Sequence, residues 1–222
     1  MIGLEDIKKN HLVLSFINQT EKTLEDLSYT DHGLRHSNLV AERSKSIALK
    51  IGLNEKDAEL AAISGFCHDM GNFLGRSYHN YLSALLFFQV FQKDFSSKEM
   101  VTIMQAISNH DEKKKEMAFS SPISAIVVLA DKSDVHRSRV NVRVMDEIKA
   151  DIHDRVNYAT KESKLKIDKT KKRITLILKI DTNFVPIIEY FEIFTERMVF
   201  CKKAAEYLGY KFGLIINNFK LL

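Results

Sequence analysis

The first 158 residues of this 222-residue chain carry apolar side chains at helical spacing. Apolar positions recur every three or four residues, a period that predicts amphipathic helices packed around a core. Capping residues, an early proline and glycines mark where these helices begin and end. The pattern predicts helices over residues 4–27, 37–50, 54–70, 77–91, 97–110, 122–131 and 139–158, with Asn54, Ser77, Ser97 and Pro122 at helix starts and Gly52 and Gly71 at helix ends. The run 112–116 is predicted to be a charged, solvated connection.

The period changes after residue 158. Ile174, Leu176, Leu178 and Ile180 recur at a spacing of two, which predicts a strand. A shorter strand over 164–167, a turn over 168–172, a helix from Pro186 to Gly209 and a last strand over 212–219 complete the segment. The sequence therefore predicts a mostly α fold, with a helical domain over residues 1–158 and a small C-terminal α+β subdomain, ordered strand–strand–helix–strand, over residues 159–222.

Length and composition narrow the class of protein. A chain of 222 residues that is 45% hydrophobic suits one domain, or one domain with a small appendage. No apolar run reaches the roughly 18 residues of a membrane span, and the N-terminus lacks the features of a signal peptide. We therefore expect no membrane partner. Two cysteines, Cys67 and Cys201, offer no disulfide framework, so we expect the chain to work in a reducing cytoplasm. The net charge of +4 permits an anionic substrate and is too mild to predict nucleic acid as a partner.

Candidate chemistry first appears at His68 and Asp69, which are adjacent in the chain. The run before them, residues 58–66, is apolar enough to form a buried helix. An imidazole and a carboxylate at the end of such a helix need a partner, because burying a polar group alone is costly. A divalent metal ion is one such partner, and a salt bridge or a hydrogen bond is another. The pair by itself leaves these alternatives open.

The other candidate ligands also fall at the ends of predicted helices. Asp131 closes the strongly apolar run 125–131, where a surface aspartate is hard to explain. His36 precedes one helix, His79 lies in the first turn of another, and His110 ends a third. Because helices can pack so that such residues converge in the bundle interior, we expect these side chains to meet.

The order of these residues, H…HD…H…H…D, resembles the HD superfamily of metal-dependent phosphohydrolases. The resemblance covers about residues 30–140 and includes the run His68-Asp69-Met70-Gly71-Asn72 at a helix end. It implies a helical bundle of the HD type with the metal between the helices. The resemblance assigns the core ligand set to His36, His68, Asp69 and Asp131, and the two extra ligands of binuclear members to His79 and His110. The Gly-Tyr-Pro signature of the cyclic-di-GMP branch is absent, which argues against cyclic-di-GMP as a substrate.

The resemblance also implies the chemistry. Six ligands that include two carboxylates suit two divalent ions, with Asp69 as the bridging and catalytic carboxylate. Two close ions would lower the pKa of a shared water, so that a metal-bound hydroxide attacks a phosphoester or phosphoanhydride. Iron or manganese is favoured because the ligands are histidines and carboxylates, whereas zinc, magnesium and nickel stay open. A single ion bound by the core set alone is the other stoichiometry.

Cations near these ligands are candidates for binding the substrate phosphate. Lys132 follows Asp131 directly, and Arg137 and Arg139 come soon after it. Arginine can hold a phosphate through a bidentate fork. Arg76 lies between Asp69 and His79 and is therefore near the ligands by connectivity. The alternative interpretation of the segment after Asp131 is a solvated helix end.

Three further residues have weaker claims to the site. Asp134, one turn after Asp131, could orient a ligand histidine or cap a helix. His32 lies in a stretch typical of a loop. Asp111 either adds a ligand beside His110 or starts the charged connection.

Two functions follow from these patterns. The first is a metal-dependent phosphohydrolase that acts on a small phosphorylated substrate, expected to be a nucleotide. The second is a regulatory or nucleic-acid-binding module with a mainly structural metal site, which the basic stretch 137–155 and the basic turn 169–173 favour slightly. The complete ligand set favours the enzyme. The C-terminal segment is expected to cover the active-site mouth, to set substrate size or to form a homodimer interface.

Overall fold

The computed structural model describes residues 2–111 and 119–222, so the predicted connection at 112–116 lies outside the described residues. The helices are α1 (Leu4–Ile7), α2 (His11–Asp26), α3 (Leu34–Ile51), α4 (Glu55–Cys67), α5 (His79–Phe91), α6 (Ser97–Ser108), α7 (Pro122–Lys132), α8 (Met145–Ala150), α9 (Ile152–Ala159) and α10 (Ile187–Tyr207). The strands are β1 (Thr160–Asp168), β2 (Arg173–Ile180), β3 (Lys211–Ile216) and β4 (Phe219–Lys220). Short 3-10 helices lie at Asn72–Leu74 and Arg137–Arg139. The predicted mostly α class with a small C-terminal α+β part is confirmed.

Helices α4 and α7 form the centre of the helical bundle. They pack against each other, and both contact α3 and α6. Every residue from Leu60 to Cys67 and from Ile123 to Lys132 is buried. A helix that is apolar on all sides belongs in a core, which explains the unbroken apolar runs in these two segments. The residues that end α4 and α7 therefore lie inside the bundle.

The structure corrects several predicted helix ends. Helix α4 ends at Cys67, three residues before the predicted end, because His68 to Gly71 turn back toward α5. Ser77 does not cap α5: that helix begins at His79, after Tyr78 at a φ of +64°. Ser96, one residue before the predicted cap, caps α6 by accepting a bond from the Glu99 backbone N–H, while the Glu99 carboxylate accepts from the Ser96 backbone.

The single helix predicted over residues 139–158 is wrong. The chain forms the 3-10 turn at Arg137–Arg139 and then an irregular stretch, followed by the two short helices α8 and α9. Asp151 separates these helices, since its carboxylate accepts bonds from the backbone N–H groups of His153 and Asp154 and so caps α9. A local capping bond therefore overrides the continuous helix that the polar composition suggested.

The C-terminal layer, residues 160–222, is a four-stranded sheet with one helix. The strand order is β1-β2-β3-β4, with β1–β2 and β3–β4 antiparallel and β2–β3 parallel. Helix α10 makes the crossover that a parallel pair requires. Strand β1 begins four residues earlier than predicted. The predicted last strand is two strands, because Asn217 and Asn218 adopt φ angles of +49° and +72° and form the tight turn of a hairpin.

The C-terminal layer packs on the centre of the bundle. Helix α10 contacts α7 and α9, and β1 contacts α3. Phe194, Met198 and Cys201 form part of the buried side of α10. In the described part of the chain, no helix combines the length and apolar character needed to cross a membrane. The contact between α10 and α7 brings the C-terminal layer next to the helix that ends at Asp131 and Lys132.

Candidate metal centre

Six predicted ligands lie together at the ends of five helices. His36 lies in the first turn of α3, His68 and Asp69 follow α4, His79 begins α5, His110 follows α6, and Asp131 lies in the last turn of α7. All six are buried, and Asp131 is the most exposed of them at 7%. The structure thus brings together all of the predicted ligands, as side chains from different helices that meet inside the bundle.

The four histidines turn the same ring edge toward this meeting point. Three of them donate from Nδ1 to a backbone carbonyl: His68 to Gly65 at 2.7 Å, His79 to Arg76 at 2.9 Å and His110 to Ile107 at 2.7 Å. The fourth, His36, places Nδ1 2.7 Å from the Asp134 carboxylate. Carbonyls only accept hydrogen bonds, so Nδ1 carries the proton and Nε2 presents a lone pair when the ring is neutral. Such outer bonds orient metal-binding histidines.

The Nε2 atoms converge in two pairs. The His36 and His68 Nε2 atoms are 3.2 Å apart, and those of His79 and His110 are 3.1 Å apart. Two lone pairs at this distance repel each other, whereas a cation between them is attracted to both. Ligands held about 2.0–2.1 Å from an ion lie about 3.0–3.4 Å from one another, which is the spacing found here. Each histidine pair therefore fits one ion.

Asp69 lies between the two histidine pairs. Its Oδ2 is 3.2 Å from His68 Nε2 and 3.7 Å from His36 Nε2. Its Oδ1 is 3.1 Å from His79 Nε2 and 3.3 Å from His110 Nε2. One carboxylate thus offers an oxygen to each pair, which is the arrangement of a bridging ligand. Asn72 also donates to Oδ1 at 2.8 Å and fixes the carboxylate plane.

Asp131 completes the first pair. Its Oδ1 lies 3.4 Å from His36 Nε2 and 3.8 Å from His68 Nε2. Its other oxygen, Oδ2, accepts from the Lys132 ammonium at 2.8 Å. The geometry could thus form a first subsite from His36, His68, Asp69 and Asp131 and a second from His79, His110 and Asp69. Three groups of these residues hold ligand atoms within 4.8 Å of one another, and one of them, His68, His110 and Asp131, spans both subsites.

Electrostatics keep Asp69 and Asp131 ionised and His110 neutral, whereas burial acts to lower the pKa of His68 but the charge of Asp69 raises it above its usual value. Burial acts to raise the pKa of Asp69, but the charge of His68 and the close contacts of its carboxylate with the His110 and His79 rings hold that pKa well below its usual value. Burial also acts to raise the pKa of Asp131, but the charge of Lys132 lowers it, and the pKa is again well below its usual value. Burial lowers the pKa of His110 to about 4. Two buried carboxylates beside a neutral histidine form a donor set that fits divalent cations.

Asp134 contacts the ring of His36 and can orient it. Its Oδ2 is 2.7 Å from His36 Nδ1 and accepts from Arg35 Nη2 at 2.8 Å. Arg35 also pairs with Asp31, whose carboxylate accepts from the Gly33 backbone N–H at 2.7 Å. This network fixes the loop that leads into α3 and, with it, the ring of His36.

Two of the four predicted phosphate-binding cations lie beside the ligands. Lys132 is buried, and its ammonium lies between Asp131 Oδ2 at 2.8 Å and Asp111 Oδ1 at 3.3 Å. Arg76 donates to Asn72 Oδ1 at 2.8 Å and lies over the ring of Tyr29. Asn72 in turn donates to Asp69, so a single residue separates Arg76 from the Asp69 carboxylate.

The other two predicted cations are engaged elsewhere. Arg137 is exposed, and its guanidinium lies 5.2 Å from the centre of the Tyr158 ring. Arg139 is buried and donates to the backbone carbonyls of Asp134 at 3.1 Å and Asp31 at 2.8 Å. Both arginines were predicted to bind phosphate because they are close to Asp131 in sequence. In the structure, Arg139 instead connects the loop before α3 to the loop after α7.

His32 and Asp111 differ in their relation to the ligands. His32 Nε2 lies 3.1 Å from Arg139 Nη2, so its lone pair accepts that hydrogen bond and does not point to a metal. Asp111 Oδ2 lies 3.7 Å from His79 Nε2, and its other oxygen contacts Lys132. Asp111 therefore borders the second subsite.

Sequence reasoning missed one cation that the fold brings to this region, Arg197 on α10. The charges of Asp131 and Asp111 act on its guanidinium, although Arg197 lies 66 positions after Asp131 in the chain. In the sequence, Arg197 follows Glu196 on a helix with both apolar and charged residues, and nothing there indicates that it lies near the ligands. Only the packing of α10 on α7 places it there.

Comparisons with known proteins agree with this geometry. The family described as HD domain matches residues 33–151, which contain all six converging residues. Ribonuclease Y of Mycoplasma mycoides is 30% identical over 158 residues, covering 68% of this chain and 34% of the relative. Ribonuclease Y of Mycoplasma capricolum subsp. capricolum is 30% identical over 151 residues, covering 65% of this chain and 27% of the relative. The chain spans about a third of the length of these curated relatives.

The ligand order, the convergence of the side chains and the family match point to the same conclusion. The resemblance inferred from the H…HD…H…H…D order is confirmed by a match that covers more than half of the chain. The chain belongs to the HD family of metal-dependent phosphohydrolases.

Proposed function

We propose that this chain hydrolyses a phosphoester or phosphoanhydride bond of a small nucleotide, using two divalent ions. The observation that carries the proposal is the position of Asp69, whose two oxygens face two different pairs of histidine Nε2 atoms. A site for one ion would not need a second pair on the far side of the same carboxylate. His36, His68 and Asp131 would hold one ion, His79 and His110 the other, and Asp69 both.

The bound ions would act as Lewis acids toward water and the phosphate oxygens. The residues of this chain supply the rest of the site. Asp69 and Asn72 fix the spacing of the two subsites, because the Asn72 amide holds Oδ1 of the bridging carboxylate. Lys132 and Arg76 place positive charge beside the ligands and are proposed to orient an anionic substrate. We favour iron or manganese because imidazole and carboxylate ligands suit these ions.

A small substrate is favoured by the burial of the ligands. The four histidines are at most 1% exposed, and Asp69 is 3% exposed. A terminal phosphate or a short polyphosphate can reach ligands at this depth with few other contacts. A nucleotide supplies such a group together with a base and sugar for further contacts outside the ligand set.

A second candidate substrate is RNA. The observation in its favour is the 30% identity to Ribonuclease Y of two Mycoplasma species. The C-terminal layer adds positive charge, because residues 159–222 contain 13 basic and 7 acidic side chains. RNA binding through such a surface would weaken steeply with rising salt concentration.

The test is a substrate panel with matched variants. The metal-loaded protein would be assayed on a generic phosphomonoester, a phosphodiester, mononucleotides, nucleotide polyphosphates and a short RNA. We expect hydrolysis of a nucleotide, and its loss of at least about 100-fold in Asp69→Asn. Asp94→Asn removes a carboxylate that is exposed and is the control with full activity. Equal activity in Asp69→Asn and the control would refute a catalytic site at Asp69, and cleavage of RNA alone would favour the second substrate.

Two further expectations accompany this proposal. Cys67 and Cys201 are both buried free cysteines, and a reducing cytoplasm remains our prediction for where the chain works. A homodimer formed through the C-terminal layer also remains a prediction, and sedimentation equilibrium would measure it.

A further inference from the structure

Arg197 differs from the other half-buried arginines of this protein. Among residues 2–111 and 119–222, its guanidinium has no carboxylate or carbonyl partner. Arg35 pairs with Asp31 and Asp134, and Arg155 pairs with Glu189. The one contact of Arg197 that stands out is with the Phe194 ring, whose centre lies 4.8 Å from the guanidinium carbon. A half-buried guanidinium without a counter-ion keeps its donors free to bind an anion.

The side of α10 that carries Arg197 is buried, and the same helix packs on α7. Phe194, Arg197 and Cys201 are spaced three and four residues apart and therefore lie on one face of the helix. Phe194 and Cys201 are each 1% exposed, and α10 packs on α7, which ends with Asp131 and Lys132. Burial raises the pKa of the Cys201 thiol, and the charges of Lys132 and Asp131 at the end of α7 act on this thiol as well.

The charges around Arg197 are those of the candidate site. Burial lowers the pKa of its guanidinium, and the charges of Arg139, Asp131, Arg76 and Asp111 act on it as well. Arginine stays protonated in spite of such shifts. Lys132 is already bound to two carboxylates, and Arg76 is bound to Asn72. Arg197 is therefore the cation near the ligands whose donors are least committed within the described residues.

We propose that Arg197 binds the substrate phosphate, so that the C-terminal layer completes the active site of the helical bundle. The inference rests on the proposed function for the identity of the substrate, but it concerns phosphate binding, which is measurable without turnover. The guanidinium offers up to five donors in a planar fork and can hold two phosphate oxygens at once. An incoming phosphate would also supply the counter-ion that the guanidinium lacks. Among the three roles predicted for the C-terminal layer, this one places it at the active-site mouth.

The test measures inorganic phosphate binding by calorimetry to the metal-loaded full chain. Arg197→Gln removes the charge, and Arg197→Met removes it while keeping an unbranched chain against Phe194. Lys203→Gln is the control, because it removes an exposed positive charge from the same helix. We expect phosphate affinity to fall about 10- to 100-fold in both Arg197 variants, as for loss of charge-assisted hydrogen bonds, and to be unchanged in the control. Arg197→Lys should restore part of the affinity.

Metal content and the melting temperature of each variant separate a binding role from a structural one. With both unchanged, weaker phosphate binding and a raised KM in Arg197→Gln support the inference. Wild-type phosphate affinity in both Arg197 variants overturns it, as does a metal-loaded wild-type protein that binds no phosphate. If the wild type binds phosphate but hydrolyses no ester in the panel, the proposed function fails while the comparison of affinities still decides the role of Arg197.

Discussion

Replacing Asp134 with asparagine tests how the bundle orients its first metal subsite. Asp134 is 1% exposed, and its Oδ2 is bound to His36 Nδ1 and to Arg35. Burial acts to raise the pKa of Asp134, but the bond from His36 and the charges of Arg139 and Arg35 hold the pKa well below its usual value. The residue is therefore a carboxylate across the working pH range. Asp134→Asn keeps the shape and removes this charge.

Asp134→Asn is expected to lower both the metal affinity and the folding stability. Removing the charged partner of a metal-binding histidine typically costs about 10- to 100-fold in metal affinity, which is about 1.4–2.7 kcal/mol. Breaking a fully buried ion pair typically costs about 3–5 kcal/mol in folding stability. We expect the lower end of that range, because Arg35 is only half-buried and keeps its bond to Asp31. The second subsite has no contact with Asp134, so its affinity should stay unchanged.

Chelator competition and elemental analysis measure these quantities. Asp134→Asn should retain close to one ion per chain at a free-metal concentration that loads both subsites of the wild type. Asp146→Asn, an exposed change on α8, is the control and should retain both ions. If Asp134→Asn binds two ions with wild-type affinity, the reasoning that Asp134 fixes His36 for metal binding is refuted.

Three other predictions concern stability. Burial and the charge of Asp151 raise the pKa of Asp154 to about 6, so the unfolded chain binds fewer protons between about pH 4 and 6 and stability falls as pH rises through that window. Asp154→Asn should therefore stabilise the protein at pH 8 by about 1 kcal/mol after solvent screening, and much less at pH 4, in urea titrations; equal effects at both values would contradict this. A methyl group at Gly71 would lie 2.6 Å from the Ser83 backbone N, so Gly71→Ala should displace α5 and cost about 1–3 kcal/mol by thermal denaturation, and a wild-type melting temperature would count against it. Chelation should lower the melting temperature, since ions at about 100 times their Kd contribute about 2.7 kcal/mol; an unchanged melting temperature would show that the folded state binds no ion.

The ligands of the site were predictable because they interrupt a strong local pattern. Asp131 at the end of an apolar helix, and His68 with Asp69 at the end of another, are costly to bury without a partner. Since the second half of α4 and nearly all of α7 are buried on every side, the C-terminal ends of these helices lie in the core. The order of the six residues then matched a family in which such residues converge, and the structure places them together.

The cations around the site were less predictable because they depend on tertiary packing. Lys132 lies beside the ligands as expected from its position next to Asp131. Arg139 lies only eight positions after Asp131, but after the turn that follows α7 it donates to the carbonyls of Asp134 and Asp31. Arg197 reaches the same region from α10 only because that helix crosses α7. Spacing along the chain carries no information about such a crossing.

The wrongly predicted boundaries of helices and strands lie where single side chains form local hydrogen bonds or single residues adopt a turn conformation. Asp151 divides a predicted helix by capping α9. Ser96 caps α6 in place of Ser97, because only from that position can it exchange bonds with Glu99. Asn217 and Asn218 take up positive φ angles and divide a predicted strand. Apolar periodicity determines which segments are helices or strands, whereas these short polar contacts determine where each one ends.

Anomalous diffraction from crystals of the metal-loaded chain would locate the bound ions. We expect two anomalous peaks on opposite sides of the Asp69 carboxylate, about 3.5–4 Å apart as in other two-metal sites. One peak should contact His36, His68 and Asp131, and the other His79 and His110. Crystals grown with a saturating transition metal that show no peak at these side chains, or a single peak with His79 and His110 bonded only to protein groups, would contradict this expectation.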